Sequence, residues 1–138
     1  MSDFVKKWLI KLAIFLIEKL ADNYLSSSST LSGKQVLFLK NAAKLITYTS
    51  TLQGYEVTAG ELWRTNEQQA IYLAKGLSKT KHSKHQDRLA IDLNVFVDGV
   101  YRTDKSAFKP LADYWASLDK DNVSGYNWGW DYNHFEMK

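Results

Sequence analysis

Residues 89–97 read LAIDLNVFV, and aliphatic residues occupy every second position of this segment. Successive side chains of a β-strand point to opposite faces, so the alternation predicts a strand that packs one aliphatic face on the core. Ala90, Asp92 and Asn94 would share the other face. An aspartate on this face, between a small residue and an asparagine, is a candidate functional residue, although an ordinary solvated strand face has the same pattern.

Helices and short strands are predicted on both sides of this central strand. Helical periodicity predicts helices over 33–49, 66–75 and 110–118. Alternating segments predict further strands over 54–59, 100–102 and 134–137. Pro110 would stand in the first turn of its helix, and residues 122–129 are predicted as a loop. Helices mixed with few, short strands indicate the α+β class, with a small antiparallel sheet flanked by helices.

The composition is that of one globular domain. The chain has 138 residues, of which 45% are apolar and 24% charged, which excludes a disordered, collagen-like or many-pass membrane protein. The net charge of +3 is too weak to indicate a nucleic-acid partner. The absence of cysteine excludes disulfides, thiolate metal sites and cysteine nucleophiles. A metal site must therefore use the three histidines together with carboxylates.

The N-terminal segment, residues 4–21, is predicted as an amphipathic helix with a broad apolar face. Helical spacing places Lys7, Lys11, Glu18 and, just after the segment, Asp22 on one narrow stripe. The interrupted apolar run argues against a membrane-spanning helix and against a signal peptide. Three interpretations stay open: packing on the chain's own domain, contact with a membrane surface through residues 4–21, and self-association.

Two predicted strands each offer a polar face with a metal-ligand residue type. His134 and Glu136 share one face of the C-terminal strand, and Asp92 lies on the polar face of the central strand. If these strands pair, Asp92 and His134 can point at one ion, and His85 lies in a loop that can fold over them. Two imidazoles and a carboxylate leave one coordination position open, as in catalytic zinc sites. Asp131 is the candidate general base, with Glu136 as the alternative.

Three segments resemble the motifs of one family of zinc peptidases. Residues 83–92, SKHQDRLAID, resemble its S-x-H-x-x-G-x-A-x-D motif. Residues 131–136, DYNHFE, match its second motif, in which a histidine follows an acidic residue after two intervening positions. Residues 63–69, WRTNEQQ, are similar to its arginine segment. The family includes D-alanyl-D-alanine carboxypeptidases and dipeptidases and the L-alanyl-D-glutamate endopeptidases of phage lysins and bacilli, and the resemblance covers about residues 55–138.

The resemblance implies a role for each matching residue. The implied zinc ligands are His85, Asp92 and His134. Asp131 is the implied catalytic base, and Arg64 is implied to bind a substrate carboxylate or the developing oxyanion, a role that suits a planar and permanently charged donor. Ser83 and Gln69 are implied to help hold the substrate or the site.

The chain departs from the family pattern in two places. Arg88 stands where the family usually has glycine, so either the turn between the ligands differs or Arg88 reaches a substrate carboxylate. Residues 128–131, WGWD, run directly into the second motif, so that Asp131 corresponds to either of two acidic positions of the family. His82 has the wrong spacing to Asp92 for the motif and is interpreted as a loop residue.

The resemblance implies a small zinc peptidase, with zinc on the face of the sheet, that hydrolyses amide bonds of peptidoglycan stem peptides. An L-alanyl-D-glutamate endopeptidase is preferred, because the chain is small and shows no separate wall-binding domain. A D-alanyl-D-alanine carboxypeptidase is the alternative. Two other classes remain as rivals: a non-catalytic wall- or membrane-binding module with the same fold, and a membrane-active protein that acts through its N-terminal helix.

The sequence also predicts how the chain is organised and where it acts. Residues 1–25 form the amphipathic helix, residues 26–32 a Ser-rich linker, and residues 33–138 the zinc peptidase domain. A phage lysin would wait in the cytoplasm of a bacterial host until its release to the periplasm and cell wall. The N-terminal helix would instead allow membrane association or export. The oligomeric state is left open.

Overall fold

The computed structural model describes residues 1–138, except for the side chains of residues 25–28. The chain forms two compact units, Met1–Lys34 and Gln35–Lys138. Helix α1 (Asp3–Ser29) covers residues 26–29 of the Ser-rich linker predicted over 26–32, and α2 (Leu31–Thr49) begins within it, so the two helices are separated by Thr30 alone.

The first unit contains helix α1 (Asp3–Ser29). The helix begins at a serine N-cap, where the Ser2 hydroxyl oxygen accepts a hydrogen bond of 3.3 Å from the N–H of Val5. Residues 1–24 are all exposed. Among the described residues, no helix combines the length and the apolar character that a membrane span requires.

The rest of the chain folds around an antiparallel sheet. The further helices are α2 (Leu31–Thr49), α3 (Asn66–Ala74), α4 (Lys105–Leu118) and α5 (Gly125–Trp128). The strands are β1 (Tyr55–Ala59), β2 (Ala90–Val97), β3 (Val100–Arg102), β4 (Asn122–Ser124) and β5 (His134–Met137). Strand β2 is central: β1 pairs with one edge, β5 and β3 share the other edge, and β4 continues the sheet beyond β5. This arrangement confirms the predicted α+β class.

The aliphatic face of β2 packs into the core, as the alternation predicts. Ile91, Leu93 and Val95 are buried, and Val97 packs partly buried against the same cluster. Side chains from α2 and α4 complete this core, chiefly Phe38, Leu45, Phe108, Leu111 and Trp115. Burial of each such side chain contributes about 1.5–3 kcal/mol, so this face anchors β2 and leaves the opposite face available for polar groups.

Helix α4 begins at Lys105, well before the predicted start at Pro110. Pro110 therefore stands inside the helix, where it lacks the N–H that would bond to the carbonyl of Ser106. Phe108 and Leu111 are both buried, and their helical spacing places them on the face that packs against the core. Burial of this face explains why the helix extends upstream of the proline, against the local preference.

Residues 122–128 form β4 and α5, and the prediction of a loop over 122–129 is wrong. Val123 of β4 stands opposite Glu136 of β5. The buried indole N–H of Trp115 donates to the carbonyls of both residues, at 3.0 and 3.1 Å. The strand depends on partners that are distant in the sequence, and the local composition of this segment does not reveal them.

The register between β2 and β5 decides where the polar side chains meet. Asp92 stands directly opposite His134. The backbone N–H of Asp92 donates to Glu61 and its carbonyl accepts from Gly60, so its backbone bonds lie on the β1 side. Asp92 and His134 are therefore a non-hydrogen-bonded pair, in which opposing side chains lie closest together.

Candidate metal centre

Three side chains converge on the polar face of the sheet. The carboxylate oxygen Oδ1 of Asp92 lies 3.3 Å from Nε2 of His85 and 3.1 Å from Nδ1 of His134. One ligand atom from each residue lies within 4.8 Å of the other two. Two buried imidazoles and a half-buried carboxylate at these distances could hold a metal ion, and they are the three residues that the sequence predicts as ligands.

The orientation of His134 suits a metal ligand. Its Nε2 is hydrogen-bonded to Oε2 of Glu136 at 2.9 Å, so Nδ1 is the nitrogen that faces Asp92. Metal-ligating histidines characteristically donate their second N–H to a carboxylate or carbonyl, which fixes the tautomer. Glu136, considered from sequence as an alternative base, thus orients a candidate ligand.

His85 presents the opposite nitrogen to the same point. Its ring is 2% exposed, and within the part of the chain that is described its Nδ1 has no hydrogen-bond partner. Nε2 faces Asp92 and is therefore the nitrogen through which this ring can act. The donor set of two imidazole nitrogens and one carboxylate oxygen fits zinc.

The electrostatics of the cluster favour a cation. Burial lowers the pKa of His134, but its hydrogen bonds to Asp92 and Glu136 outweigh burial and raise that pKa to about 9. Burial raises the pKa of Asp92, whereas hydrogen bonds to His134 and His85 lower it to about 2. Carboxylates that hold a proton on His134 would also attract a divalent cation to this position.

The turn that carries His85 places Arg88 in a backbone conformation that residues with a side chain rarely adopt. Arg88 has φ of 56°, in the left-handed region that glycine adopts without steric cost. Its N–H donates to the carbonyl of His85 at 3.2 Å, and its guanidinium lies 4.9 Å from the ring centroid of Trp63. Arg88 thus adopts the strained left-handed conformation that a glycine would adopt without cost, and its side chain stacks on Trp63.

Arg64 lines the cleft beside the ligands and is held from two sides. Its Nε donates to Glu61 at 2.9 Å and its Nη2 donates to the same carboxylate, while Nη1 donates to Oε1 of Gln69 at 2.7 Å. Its backbone N–H donates to the carbonyl of His85 at 3.3 Å, which ties Arg64 to the candidate centre. Glu61 was not predicted as a site residue, although its position three residues before Arg64 could have indicated an ion pair with that arginine.

Gln69 lies behind Arg64 rather than in the cleft. It is 1% exposed, and its amide nitrogen donates to Oγ of Ser78 at 2.9 Å and to the carbonyl of Thr80 at 2.6 Å. Gln69 therefore connects Arg64 to the loop that follows α3. Ser83 lines the cleft and its hydroxyl accepts from the N–H of His85 at 3.3 Å.

Asp131 lines the same cleft, and burial raises the pKa of its carboxyl group. Its backbone has φ of 57° and packs against Gly125 at very short range. A Cβ added to Gly125 would lie 1.8 Å from the carbonyl oxygen of Asp131. Gly125 is thus a second residue that was not predicted from the sequence, because this contact depends wholly on the fold.

Tryptophans form one wall of the cleft, which has a volume of about 690 Å³. The ring centroid of Trp128 lies 5.4 Å from that of His134 and 5.8 Å from that of Trp130. Nζ of Lys79 lies 4.4 Å from the Trp130 centroid. His82 is a loop residue, as predicted, and also lines the cleft, but its Nε2 is paired with Oδ1 of Asp87 at 2.8 Å and it does not belong to the ligand cluster.

No protein-family model matches the chain, and no curated protein matches it. Among solved structures, the crystal structure of the Serratia marcescens L-Ala D-Glu endopeptidase ChiX is similar, with a TM-score of 0.62 and 18% sequence identity. The similarity covers 73% of this chain and 77% of that chain. The chain therefore shares its fold with this endopeptidase.

Proposed function

We propose that the chain is a zinc-dependent hydrolase of amide bonds in peptidoglycan stem peptides. The observation that carries the proposal is the convergence of His85, Asp92 and His134 in an open cleft. The shared fold with an L-Ala D-Glu endopeptidase and the resemblance of the flanking motifs support the same substrate class.

The residues around the centre provide the groups that amide hydrolysis needs. Zinc supplies Lewis acidity, which polarises a carbonyl and makes water more acidic. Asp131 takes the proton of the attacking water and passes it to the leaving amine, and its raised pKa makes it a stronger base than an ordinary carboxylate. Glu136 keeps His134 in the tautomer that presents Nδ1.

Arg64 is proposed to bind a substrate carboxylate or the developing oxyanion. An arginine has five N–H donors, and the bonds to Glu61 and Gln69 leave donors on Nη1 and Nη2 for a substrate. The carboxylate of Glu61 and the buried amide of Gln69 fix the direction of the guanidinium before substrate binds. Ser83 is proposed to assist at the same rim of the cleft.

We propose L-alanyl-D-glutamate as the bond that is cut, on the basis of the similar endopeptidase structure. A peptidoglycan substrate requires that the protein reach the cell wall, from the cytoplasm of a bacterial host or by export. Contact of residues 4–21 with a membrane surface stays a prediction.

Mass spectrometry of purified peptidoglycan fragments, before and after incubation with zinc-loaded protein, tests the proposal. New L-alanine carboxyl ends together with new D-glutamate amino termini are expected. Loss of terminal D-alanine alone would show the carboxypeptidase instead. Unchanged fragments with zinc bound would overturn the proposal and favour a binding module. His134→Ala is the matched control, because it should bind no zinc and leave the fragments intact.

A further inference from the structure

Helix α1 exposes apolar residues around most of its circumference, and four of them, beside its charged stripe, have coiled-coil spacing. Ile10, Ile14, Ile17 and Ala21 are all exposed, and their spacings of four, three and four positions match the a and d positions of a heptad. More than half of the surface of Ile10 and of Ile17 is accessible. An exposed apolar seam of this kind is characteristic of a helix that packs against another helix.

The charges beside this seam are arranged symmetrically about the middle of the helix. Lys7 and Lys11 lie in its first half, and Glu18 and Asp22 lie in its second half on the same stripe. Each lysine has an acidic counterpart at the same distance from the midpoint between positions 14 and 15. In the same heptad Lys11 and Glu18 take the e position, where charges of paired helices meet. Lys7 takes the a position one heptad before Ile14, and Asp22 takes the b position after Ala21.

This order of charges is unfavourable in an isolated helix. Like charges four positions apart repel, as Lys7 does Lys11 and as Glu18 does Asp22. An antiparallel neighbour with the same stripe relieves this repulsion, because each charge then meets its opposite.

We infer that a second copy of this chain packs antiparallel on α1, with Lys7 facing Asp22 of the other copy and Lys11 facing Glu18. The contact is two-fold symmetric, because the same stripe serves both chains and their roles exchange. It lies outside the proposed peptidase site and does not depend on the proposed function. An anionic membrane surface fits less well, because Glu18 and Asp22 would face its phosphates.

Charge reversal in the full chain, measured by sedimentation velocity and light scattering, tests the inference. The wild-type protein is expected at about twice its chain mass of 15.9 kDa. An acidic-stripe variant, Lys7→Glu with Lys11→Glu, and a basic-stripe variant, Glu18→Lys with Asp22→Lys, should each raise the dimer dissociation constant at least about ten-fold. An equal mixture of the two variants should recover a dimer, because the acidic stripe of one meets the basic stripe of the other.

A matched control for the acidic-stripe variant carries the same change of net charge away from the stripe. Lys19→Glu with Lys44→Glu should leave the dimer intact, and circular dichroism should show unchanged helix content in all variants. A monomeric wild type at its highest soluble concentration would overturn the inference. Dimers that persist in both reversal variants would also overturn it. Monomers that bind vesicles with anionic headgroups would assign the helix to a membrane surface instead.

Discussion

Asp131 and Glu136 both lie beside the candidate centre, but their surroundings separate their roles. Oε2 of Glu136 is hydrogen-bonded to Nε2 of His134 at 2.9 Å, so this carboxylate already has a partner. The carboxylate of Asp131 lines the cleft, and burial raises its pKa. A group that accepts and returns a proton is more effective with a raised pKa, which favours Asp131 as the base.

Asp131→Asn should keep zinc and lower kcat about 10²–10⁴-fold, since the amide cannot accept the proton of water. Metal analysis and turnover of a stem-peptide substrate measure both effects. Full activity of Asp131→Asn together with an inactive Glu136→Gln would move the base to Glu136.

Glu136→Gln should weaken zinc binding about 10–100-fold, because it removes the carboxylate that orients His134. Competition with a chromogenic chelator measures the affinity. Asp131→Asn is the comparison, since its zinc affinity should stay near that of the wild type. Equal zinc affinities in Glu136→Gln and the wild type would show that Glu136 does not support the metal centre.

At position 88, glycine should stabilise the protein more than alanine does, the reverse of the usual order. Its φ of 56° costs an L-residue roughly 1–2 kcal/mol, and glycine avoids this cost. Both Arg88→Ala and Arg88→Gly lose the contact with Trp63. Arg88→Gly should therefore be the more stable of the two by about 1 kcal/mol, as measured by urea unfolding. The opposite order would show that the turn relaxes when the arginine is removed.

At the scale of elements, strand pairing builds the site. The alternation of residues 89–97 predicts the buried face of β2, and the same reasoning predicts β5. Only the pairing of the two strands places Asp92 opposite His134. Strand β4 and helix α5 escape prediction because each is very short and is stabilised by contacts with α4 and β5 rather than by its own periodicity.

Helix α5 lies so close to the backbone of Asp131 that a side chain at Gly125 should disturb both segments. Gly125→Ala should destabilise the protein by about 1–3 kcal/mol and lower turnover, because its Cβ would collide with the carbonyl of Asp131. Thermal unfolding and peptide hydrolysis measure the two effects. Gly129→Ala is the matched control: no atom lies within 4 Å of its added Cβ, so only the φ of 78° is strained and turnover should be affected less.

At the scale of the whole molecule, the candidate centre couples metal binding to stability. Its ligands come from the loop before β2, from β2 itself and from β5, which are separated in the sequence and joined only in the folded chain. A metal ion held by all three binds the native state and not the unfolded chain.

Zinc should therefore raise Tm. At free zinc about 100-fold above Kd the stabilisation is about 2.7 kcal/mol, which corresponds to roughly 10 °C for a domain of this size. Differential scanning calorimetry with zinc and with a chelator measures the difference. His134→Ala should show almost no zinc-dependent change, and an equal rise in this variant would place the bound zinc elsewhere.

The sequence by itself determined the features that depend on near neighbours. The alternation in residues 89–97, the helical periods and the ligand-type residues at motif spacing are all properties of short segments. The tertiary structure alone decided the β2–β5 register, the bond from His134 to Glu136 and the contact of Gly125 with Asp131. The reason is physical: periodicity records which face of an element is apolar, whereas register and close approach follow from how distant elements pack together.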